Sequence, residues 1–299
     1  VPTRELAGQV KDVFQQFGST LPDRVKTIAV FGGVSINTQM QAMQNVNVLV
    51  ATPGRLLELV ESNAVHLSSI STLVLDEADK MLNLGFKSEM DKIFNLLPKK
   101  RQNLLFSATL SEDVNTINQV LLDNPAVIKI ASEENNIDLI KQSAYYVDEE
   151  KKGPLLRYLI KHNNMQQVLV FTSSTYKADN VADKLRKNGI DASAIHSKKS
   201  QSARTDALRN FKNGSIRVLV ATDLLARGID IEFLPVVINY ELPRSPKDYI
   251  HRIGRTGRAD TPGDAITIVT PEDEHHFKII QKKMKKWVDR VACDNLDLK

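Results

Sequence analysis

Short runs of Val, Ile and Leu recur along the chain, separated by longer stretches whose apolar residues fall three and four positions apart. The first pattern predicts buried β-strands and the second amphipathic helices. Strands are expected at 27–31, 46–50, 72–75, 103–106 and 127–130, then at 142–147, 167–171, 192–195, 217–221, 235–239 and 265–269. Helices are expected between them, for example at 175–187, 202–213 and 273–286. Continuous apolar strands alternating with helices form parallel sheets covered on both faces. The alternation runs twice, interrupted by a polar, acidic stretch at 131–140. An α/β chain of two domains follows, each a mostly parallel sheet with helices on both faces. The expected divisions are a first domain at 1–131, a linker at 132–140, a second domain at 141–272 and a basic helix or tail at 273–299.

Composition narrows the function without naming it. The 299 residues suit about two domains. Apolar residues at 42% and charged residues at 25% are ordinary for a globular chain. No apolar run approaches the roughly 20 residues that cross a bilayer, so no membrane partner is expected. Cys293 is the one cysteine, which excludes an internal disulfide and a multi-cysteine zinc site and fits a cytoplasmic location. Lys and Arg number 40 against 36 Asp and Glu, a net charge of +4 that permits a nucleic-acid partner without proving one. The pair His275-His276 has no companion ligands at metal spacing.

Ligands of open parallel sheets bind beyond the carboxyl ends of the strands. At one such end, Leu73-Val74-Leu75 runs into Asp76-Glu77-Ala78-Asp79. Asp76 is placed to hold Mg2+ directly or through its waters, and Glu77 to polarise a water for attack on a phosphate. These acids could instead cap the next helix, where Asp is common. Three acids within four residues are more than a cap requires.

Asp76-Glu77-Ala78-Asp79 resembles the name-giving motif of the DEAD-box RNA helicases, ATP-dependent members of helicase superfamily 2, and further motifs of that family follow in order. Pro2-Thr3-Arg4-Glu5-Leu6-Ala7 is similar to motif Ia, Gly32-Gly33 to the glycine doublet, and Thr52-Pro53-Gly54-Arg55 to motif Ib. Ser107-Ala108-Thr109 resembles motif III, Val170-Phe171-Thr172 motif IV, and Gln201 with Arg204 the glutamine–arginine motif. Ala221-Thr222-Asp223 through Arg227-Gly228-Ile229-Asp230 resembles motif V. His251-Arg252-Ile253-Gly254-Arg255-Thr256-Gly257-Arg258 is similar to motif VI throughout. One departure is Ser197 after His196, where family members often carry glycine; it bears only on local loop shape.

The resemblance implies two RecA-like domains, ATP and Mg2+ as cofactors, and RNA held by its backbone. Asp76, Glu77, Arg255 and Arg258 become the catalytic set, the two arginines acting as arginine fingers on the γ-phosphate. Gly228, Asp230, Arg252 and Asp79 fall to the nucleotide side, with Asp230 on the ribose. Ser107, Thr109 and His251 link the acidic motif to RNA-induced closure. RNA contacts fall to Pro2, Thr3, Arg4, Gly33, Thr52, Gly54 and Arg55 in the first domain and to Thr172, Gln201, Arg204 and Thr222 in the second. Such contacts grip the sugar–phosphate chain and carry no sequence code. Spaced by threes, Arg252, Arg255 and Arg258 would share one face of a helix. The implied activity is local separation of short duplexes by closure about a hinge near 131–140. Bacterial members act in ribosome assembly and RNA decay, and the short motif spacing resembles theirs.

A P-loop needs Gly-Lys followed by Ser or Thr, and none of the 13 glycines precedes a lysine. The chain is therefore expected to lack the start of its first domain and to be inactive alone. The competing reading is an RNA-binding scaffold without ATPase activity. A DNA translocase of the same superfamily is a more distant third, which Asp76–Asp79 and Ser107–Thr109 disfavour. Lys282, Lys283, Lys285, Lys286 and Arg290 crowd around Trp287. They form either a nonspecific RNA contact or a solvated helix whose Trp287 packs inward.

Overall fold

The computed structural model describes residues 1–108, 112–129, 140–223, 231, 234–257, 263–293, 296 and 298, without the side chains at 112, 113, 115, 118 and 120. The chain divides into two compact units, Val1–Lys129 and Ile130–Lys299. The expected linker at 132–140 lies, except for Ile140, outside the described residues.

The first unit runs α1 (Arg4–Gly18), β1 (Thr27–Val30), α2 (Ile36–Gln41), β2 (Val48–Ala51), α3 (Pro53–Glu61), β3 (Thr72–Leu75), α4 (Ala78–Asn83), α5 (Lys87–Leu96), β4 (Gln102–Leu105) and α6 (Glu112–Leu121). Its strands form two parallel pairs, β1 with β2 and β3 with β4. Thr3 starts α1 by accepting the Leu6 amide at 3.2 Å, and Pro53 opens α3, where a missing N–H costs nothing. The strand expected at 127–130 does not form: residues 125–129 are irregular, with Val127 and Ile128 exposed. Two β-branched residues make a strand only against a neighbouring strand or a covering layer.

The second unit runs β5 (Ile140–Tyr146), α7 (Lys152–His162), β6 (Val168–Thr172), α8 (Thr175–Lys187), β7 (Ala192–Ile195), α9 (Gln201–Lys212), β8 (Val218–Thr222), β9 (Val236–Asn239), α10 (Pro246–Ile253), β10 (Gly263–Val269), α11 (Glu274–Met284) and β11 (Asp289–Val291). All seven strands are parallel, in the order β11-β5-β10-β9-β6-β8-β7. The alternation along β6 shows why both faces are apolar. Val168 and Val170 pack with Leu155 of α7 and Leu185 of α8, whereas Leu169 and Phe171 pack with Ala207 and Phe211 of α9. α10 and α11 cover the second face further along, through Tyr249, Ile253, Phe277 and Ile280. Residues 274–291 are thus built into the unit, since Phe277, Ile280 and Met284 are core and β11 extends the sheet edge beside β5.

Candidate functional site

In the first unit, the residues at the carboxyl ends of β1 and β2 converge. The Arg4 guanidinium lies over Gly32 and Gly33. Gly33 has φ +80°, and a Cβ there would sit 2.0 Å from Arg4 Nη1, so both backbone and packing require glycine. The Gln39 amide holds the doublet in place by donating to the Phe31 carbonyl at 3.0 Å and accepting its N–H at 3.2 Å. Arg55, in the first turn of α3, is buried; its Nη2 donates to the Val34 carbonyl at 3.0 Å and its Nε to Glu58 at 2.7 Å. Its Nη1 is buried without a partner among the described residues. Thr52 precedes α3, Pro2 and Thr3 precede α1, and a Cβ on Gly54 would enter open space. An unsatisfied guanidinium nitrogen at the start of a helix suits an anion such as a backbone phosphate.

The acidic motif lies at the end of β3. Glu77 adopts the left-handed conformation, φ 53° and ψ 46°, and makes no side-chain cap to α4. Helix capping therefore does not explain this carboxylate. Its Oε1 contacts Lys80, while Oε2 is buried with no partner among the described residues. A left-handed non-glycine residue costs on the order of 1 kcal/mol and persists only where its surroundings hold it. Here the Phe106 carbonyl accepts the Ala78 amide at 3.1 Å and the Glu77 carbonyl accepts the Met81 amide at 3.1 Å. Asp79 is buried on α4, and Ser107 follows β4 two residues past its last pair, Leu75↔Leu105. Asp76 with Glu77 fits the protein side of a Mg2+ site, which uses one or two carboxylates together with phosphates.

In the second unit, Thr172 and Thr222 pair in register at the ends of β6 and β8. Gln201 and the buried Arg204 open α9, beyond the end of β7. The Arg252 guanidinium is fully engaged within this unit. It donates to Asp223 at 2.5 and 2.8 Å, to the Asn239 side chain at 3.1 Å and to the Glu241 carbonyl at 2.6 Å, and lies 4.9 Å from the centre of the Phe171 ring. Asn239 continues the chain to Thr267 at 3.3 Å, and Thr267 to Tyr249 at 3.0 Å. Burial pushes the Tyr249 phenol up to about 12, with Thr267 and Arg252 acting against it. This network fixes α10 on the sheet and so positions His251.

Motif VI does not lie on one helix. α10 ends at Ile253, Gly254 caps it, and Arg255 sits in the following turn, its carbonyl accepting the Leu234 amide at 3.1 Å. Gly257 takes φ +66° just before the described residues stop. Gly254 ends the helix, so Arg255 does not continue the helix face that carries Arg252. Arg258, Thr109, Gly228 and Asp230 lie outside the described residues. Asp223 was missing from the candidate residues, although it stands inside the motif V stretch. Its partner Arg252 is 29 positions away, and only the fold brings the two together.

A family model described as DEAD/DEAH box helicase matches residues 1–117, and one described as helicase conserved C-terminal domain matches 150–260. The DEAD-box ATP-dependent RNA helicase CshA of Bacillus subtilis is 38% identical over 297 residues, 99% of this chain and 60% of that protein. The chain thus spans about 60% of the length of such a curated relative. Among solved structures, a DEAD box protein from the hyperthermophile Methanococcus jannaschii shares 37% identity with a TM-score of 0.51, over 97% of this chain and 78% of that one. S. cerevisiae Dbp5 bound to RNA and ADP BeF3 shares 31% identity with a TM-score of 0.81, over 98% of this chain and 76% of that one.

Proposed function

Because this chain belongs to the DEAD-box RNA helicase family, we propose that the whole protein is an ATP-dependent RNA helicase that separates short duplexes when ATP and RNA draw its two units together. The observation that carries this is Glu77, held left-handed at a strand end with one carboxylate oxygen buried and unsatisfied. A non-enzyme has no use for that cost, and strain of this kind gathers at active sites. Glu77 takes the role of water-polarising base and Asp76 that of Mg2+ holder, the ion supplying charge neutralisation on the phosphates. Arg255 and Arg258 serve as arginine fingers, and Gly228, Asp230, Arg252 and Asp79 stand on the nucleotide side, Arg252 by fixing α10. Ser107, Thr109 and His251 couple nucleotide to RNA. Arg4, Gly33, Thr52, Gly54 and Arg55, with Thr172, Gln201, Arg204 and Thr222, grip one RNA backbone without reading its sequence. The setting is cytoplasmic, in ribosome assembly or mRNA decay.

The 299 residues contain no Gly-Lys-Ser/Thr loop, so they alone turn over little or no ATP. Steady-state phosphate release with saturating RNA tests this, and turnover of about 1 s⁻¹ or more would refute it. In the whole protein, Glu77→Gln keeps the side chain's shape but removes its capacity to take a proton. ATP and RNA binding are expected to persist while turnover stops and the RNA-bound state accumulates. RNA release as fast as in the unaltered protein would remove Glu77 from that role. The RNA grip has its own check. Arg55→Ala and Arg204→Ala should each weaken binding to all single strands alike and flatten the salt slope by about 0.7.

A further inference from the structure

Trp287 does not pack inward: it is 71% exposed. Its outward position is built in. The buried Gln281 side chain accepts the Val288 amide at 2.8 Å, and Val288 packs with the α10–α11 core. Lys285 takes the left-handed conformation at φ 56°, a place that favours glycine, and reverses the chain between α11 and β11. With Met284 and Val288 both turned in, Trp287 is held out on a fixed turn. Lys282, Lys283 and Lys285 are exposed and have no ion pair among the described residues. Trp287 lies two residues before β11, whose first residue Asp289 pairs with Ser143 of β5, the strand that carries the exposed Lys141. The acids nearest in register are Asp289 itself and Asp264, which pairs with Lys141. Cations suit the carboxyl end of α11 in any case, but that does not account for an exposed indole among them.

We propose that Trp287 with Lys282, Lys283 and Lys285 is a second site for single-stranded RNA. A base stacks on the indole and the lysines take the flanking phosphates, the combination by which proteins hold single strands without reading sequence. All seven strands of this sheet are parallel, so Thr172 and Thr222 mark one edge. Trp287 precedes β11 and lies at the other. The site is therefore separate from the strand-end residues, and it rests on the family reading only in taking RNA as the ligand.

Trp287 is the sole tryptophan, so its emission reports the site directly in the 299-residue chain. Titration with a fluorescein-labelled oligouridylate, followed by anisotropy and by indole emission, should give saturable quenching in step with binding. Trp287→Ala should weaken binding about tenfold, within the range for loss of one stacked base, while Trp287→Phe keeps most of the affinity. Changing Lys282, Lys283 and Lys285 together to Gln should lower the salt slope by about 2. Binding without any change in indole emission would overturn the proposal, as would a Trp287→Ala affinity within twofold of the parent. Polyglutamate or phosphatidylserine vesicles quenching as strongly as RNA would also overturn it, by naming a different ligand. Quenching that survives Arg55→Ala and Arg204→Ala supports this site whatever becomes of the strand-end contacts. Quenching lost with those changes makes Trp287 a bystander.

Discussion

The two units use the same kind of element to very different effect. In the second, β6 is buried along its whole length, and Val168 and Val170 have no exposed surface. In the first, β3 and β4 have one open face: Val74 is 46% exposed, Leu104 39% and Phe106 55%. Parallel strands are apolar on both sides because they expect cover on both sides. The second unit meets that requirement with α7 and α8 on one face and α9, α10 and α11 on the other. Among the described residues of the first unit, nothing covers the open face of β3 and β4. Packing therefore determines how much a given side chain stabilises, and strand composition alone does not.

The sharpest way to break this contrast is one substitution made in both units. Phe211 is fully buried in the second unit, so Phe211→Ala should cost about 3–5 kcal/mol. In the 299-residue chain, Phe106, just past β4 on the open face, should cost no more than about 0.5 kcal/mol on the same change. Urea midpoints of the two variants, followed by hydrogen exchange resolved by unit, measure both. A Phe106→Ala loss as large as that of Phe211→Ala would mean the face is covered in solution, and the contrast would fail.

A smaller effect tests the polar side of the second unit. Asp223→Ala leaves the buried Arg252 guanidinium with only Asn239 and the Glu241 carbonyl. Asp223 retains some contact with water, which places the loss near that of a charged hydrogen bond, about 1.5–3 kcal/mol, below the figure for a fully buried pair. A double-mutant cycle with Arg252→Met isolates the coupling. Coupling near zero would show that α10 is held by apolar packing alone, and that the two units differ in core burial but not in polar anchoring.

The same contrast explains what could be read in advance. Strands such as Thr72–Leu75 and Ala192–Ile195 were legible because apolar runs of four to five residues between helical patterns have few alternatives. β11 was not, since Asp289-Arg290-Val291 has one apolar residue and is a strand only because β5 offers an open edge. The acidic motif and the arginine of motif VI were visible as residue types in order. Their geometry was not. The left-handed Glu77 is flanked by the Ala78 amide's bond to the Phe106 carbonyl and by its own carbonyl's bond from Met81, and Arg252 depends on Asp223, just past β8. Motif VI appeared helical from its spacing, but the helix ends at Ile253 with Gly254 as its cap, before the second arginine, Arg255.

The smallest expected effect concerns acid sensitivity, and it belongs to the second unit. Asp179 on α8 lies 3.0 Å from His196 Nε2 and 2.7 Å from Lys199 Nζ. Desolvation works to raise its pKa, but the bonds to Lys199 and His196 outweigh that and hold it below the usual aspartate value. A carboxylate depressed in the folded state stabilises the fold above its unfolded pKa, about 3.9. Below that value the unfolded chain binds the proton first, so this contribution falls away as pH drops through the folded value. Glu149, bonded to Lys177 and Lys152, is depressed against its own desolvation and adds in the same direction. Asp179 is 41% exposed, so solvent screens the pair and the effect is a change of slope rather than a collapse. Asp179→Asn removes the titrating group. The urea midpoint of the second unit should then start slightly lower at neutral pH and decline less steeply from about pH 5 downward, the two profiles converging in acid. An Asp179→Asn profile parallel to that of the unaltered chain would assign the acid sensitivity elsewhere, with Glu149→Gln as the next substitution to compare.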